Sequence, residues 1–505
     1  MNRRSLLAAL AAPLLWSPRL LAAESLDPWA AAFASARTRD KSLIGYDSAP
    51  LEGFRADSVA IQGRIPAEIN GALLRNGPSH HQVGGARYHH WFDADGMVQR
   101  YRIADGKLSH LGRYVETPKF LEESAAGRMV EVAFGTVPPG ARPITKPDAL
   151  NVANINVITQ GGRTMALWEG GSATEIDPVS LQTKGFVRWS AESAGLPFCA
   201  HPRFDSDGSL WNIGAMPGNE NLFLYHIGAD GVLATFDVLP IPADTGMIHD
   251  ILATERHILI PLGSLTVDGE RFRSGTASLL DSYSWHKDRP FRFLVVDKAE
   301  RKIVQTVELP PGFVYHFGNA WEDNAGIVRV DASWYDDFSM STETLRYFMR
   351  GERKPGHPGR LLMLTLDLKN GKGTLAGLGG YGEFPRFDER FVTRRSRVAF
   401  SMGRAKSAPG GVVEALNLVN RFDRESGRLN QFNYGPTVIA DEHVFVPHPD
   451  GKEGKGWIIG SSLDWQAGQT RFAVFDAEHL SNGPLALGTL PYVVPLGLHG
   501  SWKSA

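Results

Sequence analysis

The sequence predicts an all-β protein built as a β-propeller. Three observations carry that expectation. From residue 60 onward, apolar or alternating runs of about four to eight residues recur, each ended by a turn signal. Glycine is enriched, with 54 residues or about 11%, against an average near 7%. Helical periodicity is scarce, and no composition break divides the chain after its first residues. Many short antiparallel strands over roughly 480 residues, in units recurring roughly every 40 to 65 residues, favour a propeller over a sandwich.

Composition narrows the function classes. The 53 Lys and Arg nearly cancel the 55 Asp and Glu, so no basic face for nucleic acid is implied. Hydrophobic residues at 43% allow a large core, which excludes a disordered chain. A single Cys excludes a disulfide framework and any Cys-based zinc or iron–sulfur site.

Residues 1–23 read as an export signal. Arg3 and Arg4 supply its charge, Leu6 to Trp16 an apolar stretch too short to span a bilayer, and Leu21, Ala22 and Ala23 a cleavage site. The paired arginines resemble the twin-arginine signal, so a periplasmic location is expected. Residues 24–505 are expected to form one soluble domain, monomeric, with peripheral membrane contact open. Ala30 to Ala36 and Ser339 to Arg350 are the best helix candidates.

The strands follow in order. Ser209 to Ile213 comes after the turn Asp205 to Gly208, and Leu222 to Ile227 precedes Ala229 to Gly231. Phe291 to Val296, Leu361 to Leu368 before Asn370 and Gly371, and Trp457 to Ser461 continue the pattern. Gly377, Gly379 and Gly382 match the three-glycine dinucleotide pattern, but Pro385 follows where a helix must start, so a strand is expected there. Cys199 lies two residues from His201, yet its apolar context reads as a small buried hydrophobe.

Histidine is the informative residue type. His80, His81, His89 and His90 sit in a Gly-rich stretch with Arg87 and Tyr88, which reads either as a metal site or as a loop at a substrate entrance. His201, His249, His316 and His499 each lie among small or apolar residues. Singly, each reads as a satisfied core or turn histidine. Residues this far apart converge only where distant strands meet at a common axis, and a propeller provides one.

At these residues the sequence resembles the carotenoid cleavage oxygenase family, from about residue 50 to 502. Gly71 to Pro78 and His90 to Met97 look like its N-terminal signatures. Ala166 to Gly171, Phe317 to Glu322, Glu383 to Arg386, Phe445 to Pro447 and Leu498 to Trp502 fit later blocks in order. The resemblance implies a seven-bladed propeller with a dome of loops and short helices over an axial metal site. It implies one Fe(II) per chain, held by His201, His249, His316 and His499, with Glu169, Glu383 and Glu442 behind the histidines and His201 the ligand without a glutamate. Four neutral imidazoles suit Fe(II) and leave two of six octahedral positions open. A carboxylate on the outer N–H fixes each ring's tautomer and orientation.

The implied reaction is O2-dependent cleavage of a conjugated C=C bond into two carbonyls. The substrate expected is a carotenoid or apocarotenoid; the alternative is a stilbene of the lignostilbene or resveratrol kind. Lys119 stands where stilbene-cleaving relatives anchor a phenol, its bland reading being an exposed lysine after a turn proline. Trp168, Phe317, Trp321 and Trp502 adjoin proposed ligands or glutamates and line either a substrate tunnel or the core. Ile155, between Asn154 and Asn156, departs from the Thr many relatives carry, and would shield an open metal position. Lys452 to Gly456 and His443 also depart from the family pattern. A rival from another class is a non-catalytic ligand-binding propeller.

Overall fold

The computed structural model describes residues 27–354, 356–405 and 416–505. The expected export signal lies outside them. The chain is mostly β, arranged as antiparallel units of four or five strands that follow one another in sequence. The first unit pairs Phe54–Ala56, Lys107–Tyr114, Asp95–Ala104, Gly71–His80 and Gly500–Ser504. The second runs from Asn156–Gln160 out to Thr183–Phe186, and the third from Arg203–Phe204 out to Leu233–Pro240. An eleven-stranded assembly follows. Within it, Leu252–Ala253 to Lys302–Leu309 touch the next strands through the single parallel pair Glu308 and Lys372. The long strand Lys372–Phe387 pairs Arg360–Asp367 along its first half and Val398–Gly403 along its second, so it serves two units. The last unit joins Val438–Pro447, Gly456–Asp464, Gln469–Asp476, Pro484–Thr489 and Ala60–Gly63.

The two ends of the chain are exchanged between the first and last units. Gly500–Ser504 lies against Gly71–His80, while Ala60–Gly63 lies against Pro484–Thr489. This ties early and late sequence together and sets His499 beside the first unit.

Local chemistry explains the hairpins. Asp105 and Gly106 both take positive φ, 51° and 70°, between paired strands. That is the requirement of a tight two-residue reversal whose twist matches the strands. Strand Gly71–His80 is buried throughout. Its Leu73 and Leu74 enter different core clusters, as alternate residues of a strand covered on both faces must. The segment 377–382 is strand, and Ala30 to Ala36 lies within the helix Pro28–Arg37, as expected. Ser339 to Arg350 is helical but not a regular α-helix. It forms a π turn over Met340–Leu345 and a 3₁₀ turn over Phe348–Arg350. Among the described residues no helix is long and apolar enough to cross a membrane.

Candidate metal centre

The inner ends of successive units deliver the four histidines. His201 precedes Arg203–Phe204, His249 precedes Leu252–Ala253, His316 lies in Phe313–Glu322, and His499 precedes Gly500–Ser504. One ring nitrogen of each lies within 4.8 Å of those of the others. His249 Nε2 and His316 Nε2 are 3.2 Å apart. The ring of His201 is 4.6, 5.2 and 4.5 Å from those of His249, His316 and His499. All four are buried or nearly so.

The outer nitrogens explain why the inner ones converge. His249 Nδ1 lies 2.5 Å from Glu169 Oε2, His316 Nδ1 2.7 Å from Glu383 Oε2, and His499 Nδ1 3.1 Å from Glu442 Oε1. Each carboxylate accepts the Nδ1 proton, so Nε2 keeps its lone pair and faces inward. His201 has no carboxylate, and its buried Nε2 has no partner at all. Burial, then repulsion from His499, His249 and His316, holds its pKa far below the ordinary value, so the ring is neutral. Burial likewise pushes His499 down to about 3 despite Glu442. Burial would also lower His249, but the Glu169 carboxylate outweighs it and the net shift is upward.

The donor set fits a single metal. Imidazole nitrogens about 2.1 Å from a common ion stand roughly 3.0 Å apart at right angles and roughly 4.2 Å apart when opposite. The observed spacings lie close to that range. Two Nε2 lone pairs facing at 3.2 Å, and a third buried Nε2 without a proton partner, are what a cation between them would satisfy.

A second layer holds the ligand segments. Asp250, beside His249, accepts from the Phe317 N–H at 2.8 Å and from Arg203 at 2.5 Å, linking the segments of three histidines. Arg386 grips Glu442 with two bonds of 2.9 Å and reaches Gly500 O at 2.8 Å. Burial alone would raise the Glu442 carboxyl; Arg386 and His499 overcome it and hold the carboxyl well below the usual range. Arg75 donates to the carbonyls of Glu442 and Leu498 at 2.8 and 2.9 Å. Arg75 lies in the Gly71 to Pro78 block, and Arg386 in the Glu383 block. Their partners lie hundreds or dozens of residues away, so spacing alone carried no signal for these contacts.

Above the histidines lies a cavity of about 360 Å³, walled mostly by apolar side chains. His249, His316 and His499 open into it, with Ile155 and Trp168 on its wall. Phe384 is a wall residue that sequence reasoning missed. Its φ of 56° is left-handed, a strained choice for a bulky residue, and its ring stands 5.2 Å from His316 and 5.1 Å from His499. Tyr335, also on the wall, donates its phenol to Glu383, and Tyr315 packs 5.6 Å from His249.

Four expected wall residues lie elsewhere. Phe317 packs into the core against Phe293, because its neighbour His316 takes the inward side of the strand. Trp321 lies farther along that strand, under the Arg424 guanidinium. Trp502 packs against the core of the first unit. Lys119 is neither a wall residue nor an exposed lysine. It is fully buried in the helix Pro118–Ala126, and its ammonium donates to Tyr88 Oη at 2.7 Å, Glu123 Oε2 at 2.8 Å and Asp95 Oδ1 at 3.1 Å. All three protons are used, which leaves none for a phenol.

The Gly-rich histidines do not converge on a metal either; among the described residues the four axial histidines form the one such group. His80 pairs with Asp95 at 3.4 Å, His89 stacks on Trp29, and His90 caps a turn through the Phe92 N–H. Cys199 is the buried hydrophobe expected, its thiol donating to His249 O at 3.2 Å.

The model of the retinal pigment epithelial membrane protein family, RPE65, matches residues 49–504. The chain belongs to this family, the carotenoid cleavage oxygenases. It is 28% identical to the apocarotenoid-15,15'-oxygenase of Synechocystis over 480 residues, 91% of this chain and 95% of that one. It is 26% identical to resveratrol cleavage oxygenase 1 of Aspergillus fumigatus, covering 88% and 91%, and 27% identical to isoeugenol monooxygenase of Pseudomonas putida, covering 88% and 94%. The cobalt-substituted Synechocystis apocarotenoid oxygenase superposes with a TM-score of 0.83 at 26% identity, over 92% of this chain and 98% of that one.

Proposed function

We propose that the protein is an Fe(II)-dependent dioxygenase that cleaves a conjugated C=C bond of a carotenoid or apocarotenoid into two carbonyl products. The observation that carries this reading is four imidazoles, with one ring nitrogen of each within 4.8 Å of the others, under an apolar cavity. The residues hold one metal through His201, His249, His316 and His499. When bound, Fe(II) supplies the activation of O2 that a closed-shell alkene needs.

The chain's own residues do the rest. Glu169, Glu383 and Glu442 fix the tautomer of three ligands. Trp168, Phe384 and Ile155 exclude water and press the alkene toward the histidines. Ile155 brings no hydroxyl to the metal. No carboxylate on the wall is free: Glu169 and Glu383 are bound to histidines, Asp93 accepts from Thr136 and two backbone N–H groups, and Asp441 pairs with Arg75. This suits a reaction that needs no side-chain proton transfer.

A stilbene is the second reading, supported by the likeness to resveratrol- and isoeugenol-oxidising relatives. The spent donors of Lys119 weigh against it. The fold is read as seven blades closed by the exchanged terminal strands, with the dome formed by the helical turns near residues 118–126 and 340–350. The chain is further read as a monomer exported to the periplasm as one domain over 24–505, with peripheral membrane contact open.

The test is to supply the iron-loaded protein with a C20 to C30 apocarotenal and with a hydroxystilbene under ¹⁸O2, and to analyse products by mass spectrometry. A pair of carbonyl products from the polyene, each carrying label, is expected. No carbonyl product from either substrate at full iron loading would overturn the reading.

A further inference from the structure

The cavity wall carries charge that the cleavage reaction does not use. Four carboxylates touch the cavity, Asp93, Glu169, Glu383 and Asp441, and each is engaged as described above. Three cations also touch it, Lys146, Arg273 and Arg404, and among the described residues none of the three has an acidic partner. Lys146 and Arg273 lie on segments joined by a backbone hydrogen bond. Ile144 N–H donates to Arg273 O at 3.0 Å, which joins the segment 144–147 to the helix Gly269–Arg273. Both side chains are exposed to solvent while lining the cavity, so they stand at a mouth. Arg273 uses one guanidinium nitrogen on Pro217 O at 2.8 Å; among the described residues its other donors have no partner. Between this mouth and the histidines the wall is apolar, with Ile144, Phe272, Leu279, Met216 and Trp168.

A purely hydrocarbon substrate would gain nothing from two uncompensated cations at the rim, and they disfavour a cationic one. An apolar channel ending in paired cations matches a conjugated chain ending in an acid. We infer that the substrate carries a terminal carboxylate, held by Lys146 and Arg273 at this mouth while its conjugated chain lies along the wall toward the histidines. The inference rests on the polyene-cleaving reading above and deepens it. It makes the two cations specificity-determining, since a fixed end group sets which double bond lies over the metal. A cavity of about 360 Å³ is small among ligand sites, which commonly span about 300–1,000 Å³, and this favours a shortened polyene with one polar end over a full-length carotenoid.

The test uses the iron-loaded protein under argon, where no turnover occurs. A C20 polyene carboxylic acid and its methyl ester are titrated, and quenching of the wall tryptophans Trp91 and Trp168 reports occupancy. The acid is expected to bind roughly two- to fivefold tighter than the ester, the range for a rim-exposed ion pair. The preference should fall as salt is raised. In Lys146→Ala/Arg273→Ala the preference for the acid over the ester should disappear. Equal affinity of acid and ester in the wild type, or a preference that survives in the double variant, would overturn the inference and leave the polyene reading standing. Failure of both ligands to bind would overturn the polyene reading and the inference with it. A shift of the cleaved bond on the acid in the double variant, seen as products of altered length, gives a second readout.

Discussion

Two buried polar clusters invite comparison. One is the axial group of four histidines and three glutamates. The other is Lys119 with Tyr88, Asp95, Glu123 and His80, beneath the helix Pro118–Ala126. Both are rich in the residue types of active sites. The second is largely closed: the ammonium spends every proton inside, Tyr88 donates to Glu123, and Glu123 also accepts from the N–H groups of Val130 and Glu131. The axial cluster is satisfied only on its outer side. Its inner nitrogens face one another without protons to share. Partner accounting, not residue type, separates a brace from a binding site.

The largest expected effect breaks the axial cluster. His249→Ala or His316→Ala should abolish metal retention while the fold persists, checked by elemental analysis beside circular dichroism. Metal retained at wild-type level in both would contradict the ligand assignment. Next comes the closed cluster. Lys119→Met strands two carboxylates in a dry site and should destabilise the protein by about 3–5 kcal/mol, measured by urea denaturation. Metal stoichiometry in the folded fraction should be unchanged. Burial raises the Asp95 carboxyl but Lys119 lowers it further, so its contribution is present above the ordinary carboxylate value and fades as pH falls through the lower folded one. Lys119→Met should remove that acid dependence.

Smaller again is Glu383→Gln, which keeps the shape but loses the charge that polarises His316. Metal affinity should fall about 10- to 100-fold, read by competition with a chelator. The mildest effect concerns histidines outside both clusters. Burial holds His110 and His90 at about 3 and His443 at about 4. The unfolded chain protonates these near 6.5, so it binds more protons than the native state between about 6.5 and 4. Stability should therefore be full above pH 6.5 and decline as pH falls toward 4, seen as a lower urea midpoint. His110→Phe, at a site packed by Tyr101 and Phe54, should make that decline shallower.

Glu169, Glu383 and His499 were legible because they sit inside local blocks with a family signature and His316 directly precedes one, whereas His201, His249 and Glu442 rest on the family resemblance as a whole; the structure gathers the four histidines at one point. The cavity wall was not legible in this way. Trp168 and Ile155 stand on the cavity wall, but adjacency to a ligand misled for Phe317, because alternation along a strand sends neighbours to opposite sides. Phe384 escapes that rule only through its left-handed φ, which no residue type in Glu383 to Pro385 announces. Lys119 was misread because its partners Tyr88 and Asp95 come from strands and turns that only the fold brings under the helix.

If the open cluster holds the metal and the closed one does not, metal content should follow the axial histidines alone. The most direct test is metal content per chain after anaerobic Fe(II) reconstitution and desalting, in wild type, His316→Ala and Lys119→Met. One iron per chain is expected in wild type and in folded Lys119→Met, and none in His316→Ala. Iron-free wild type, or iron that follows Lys119 rather than His316, would contradict that assignment.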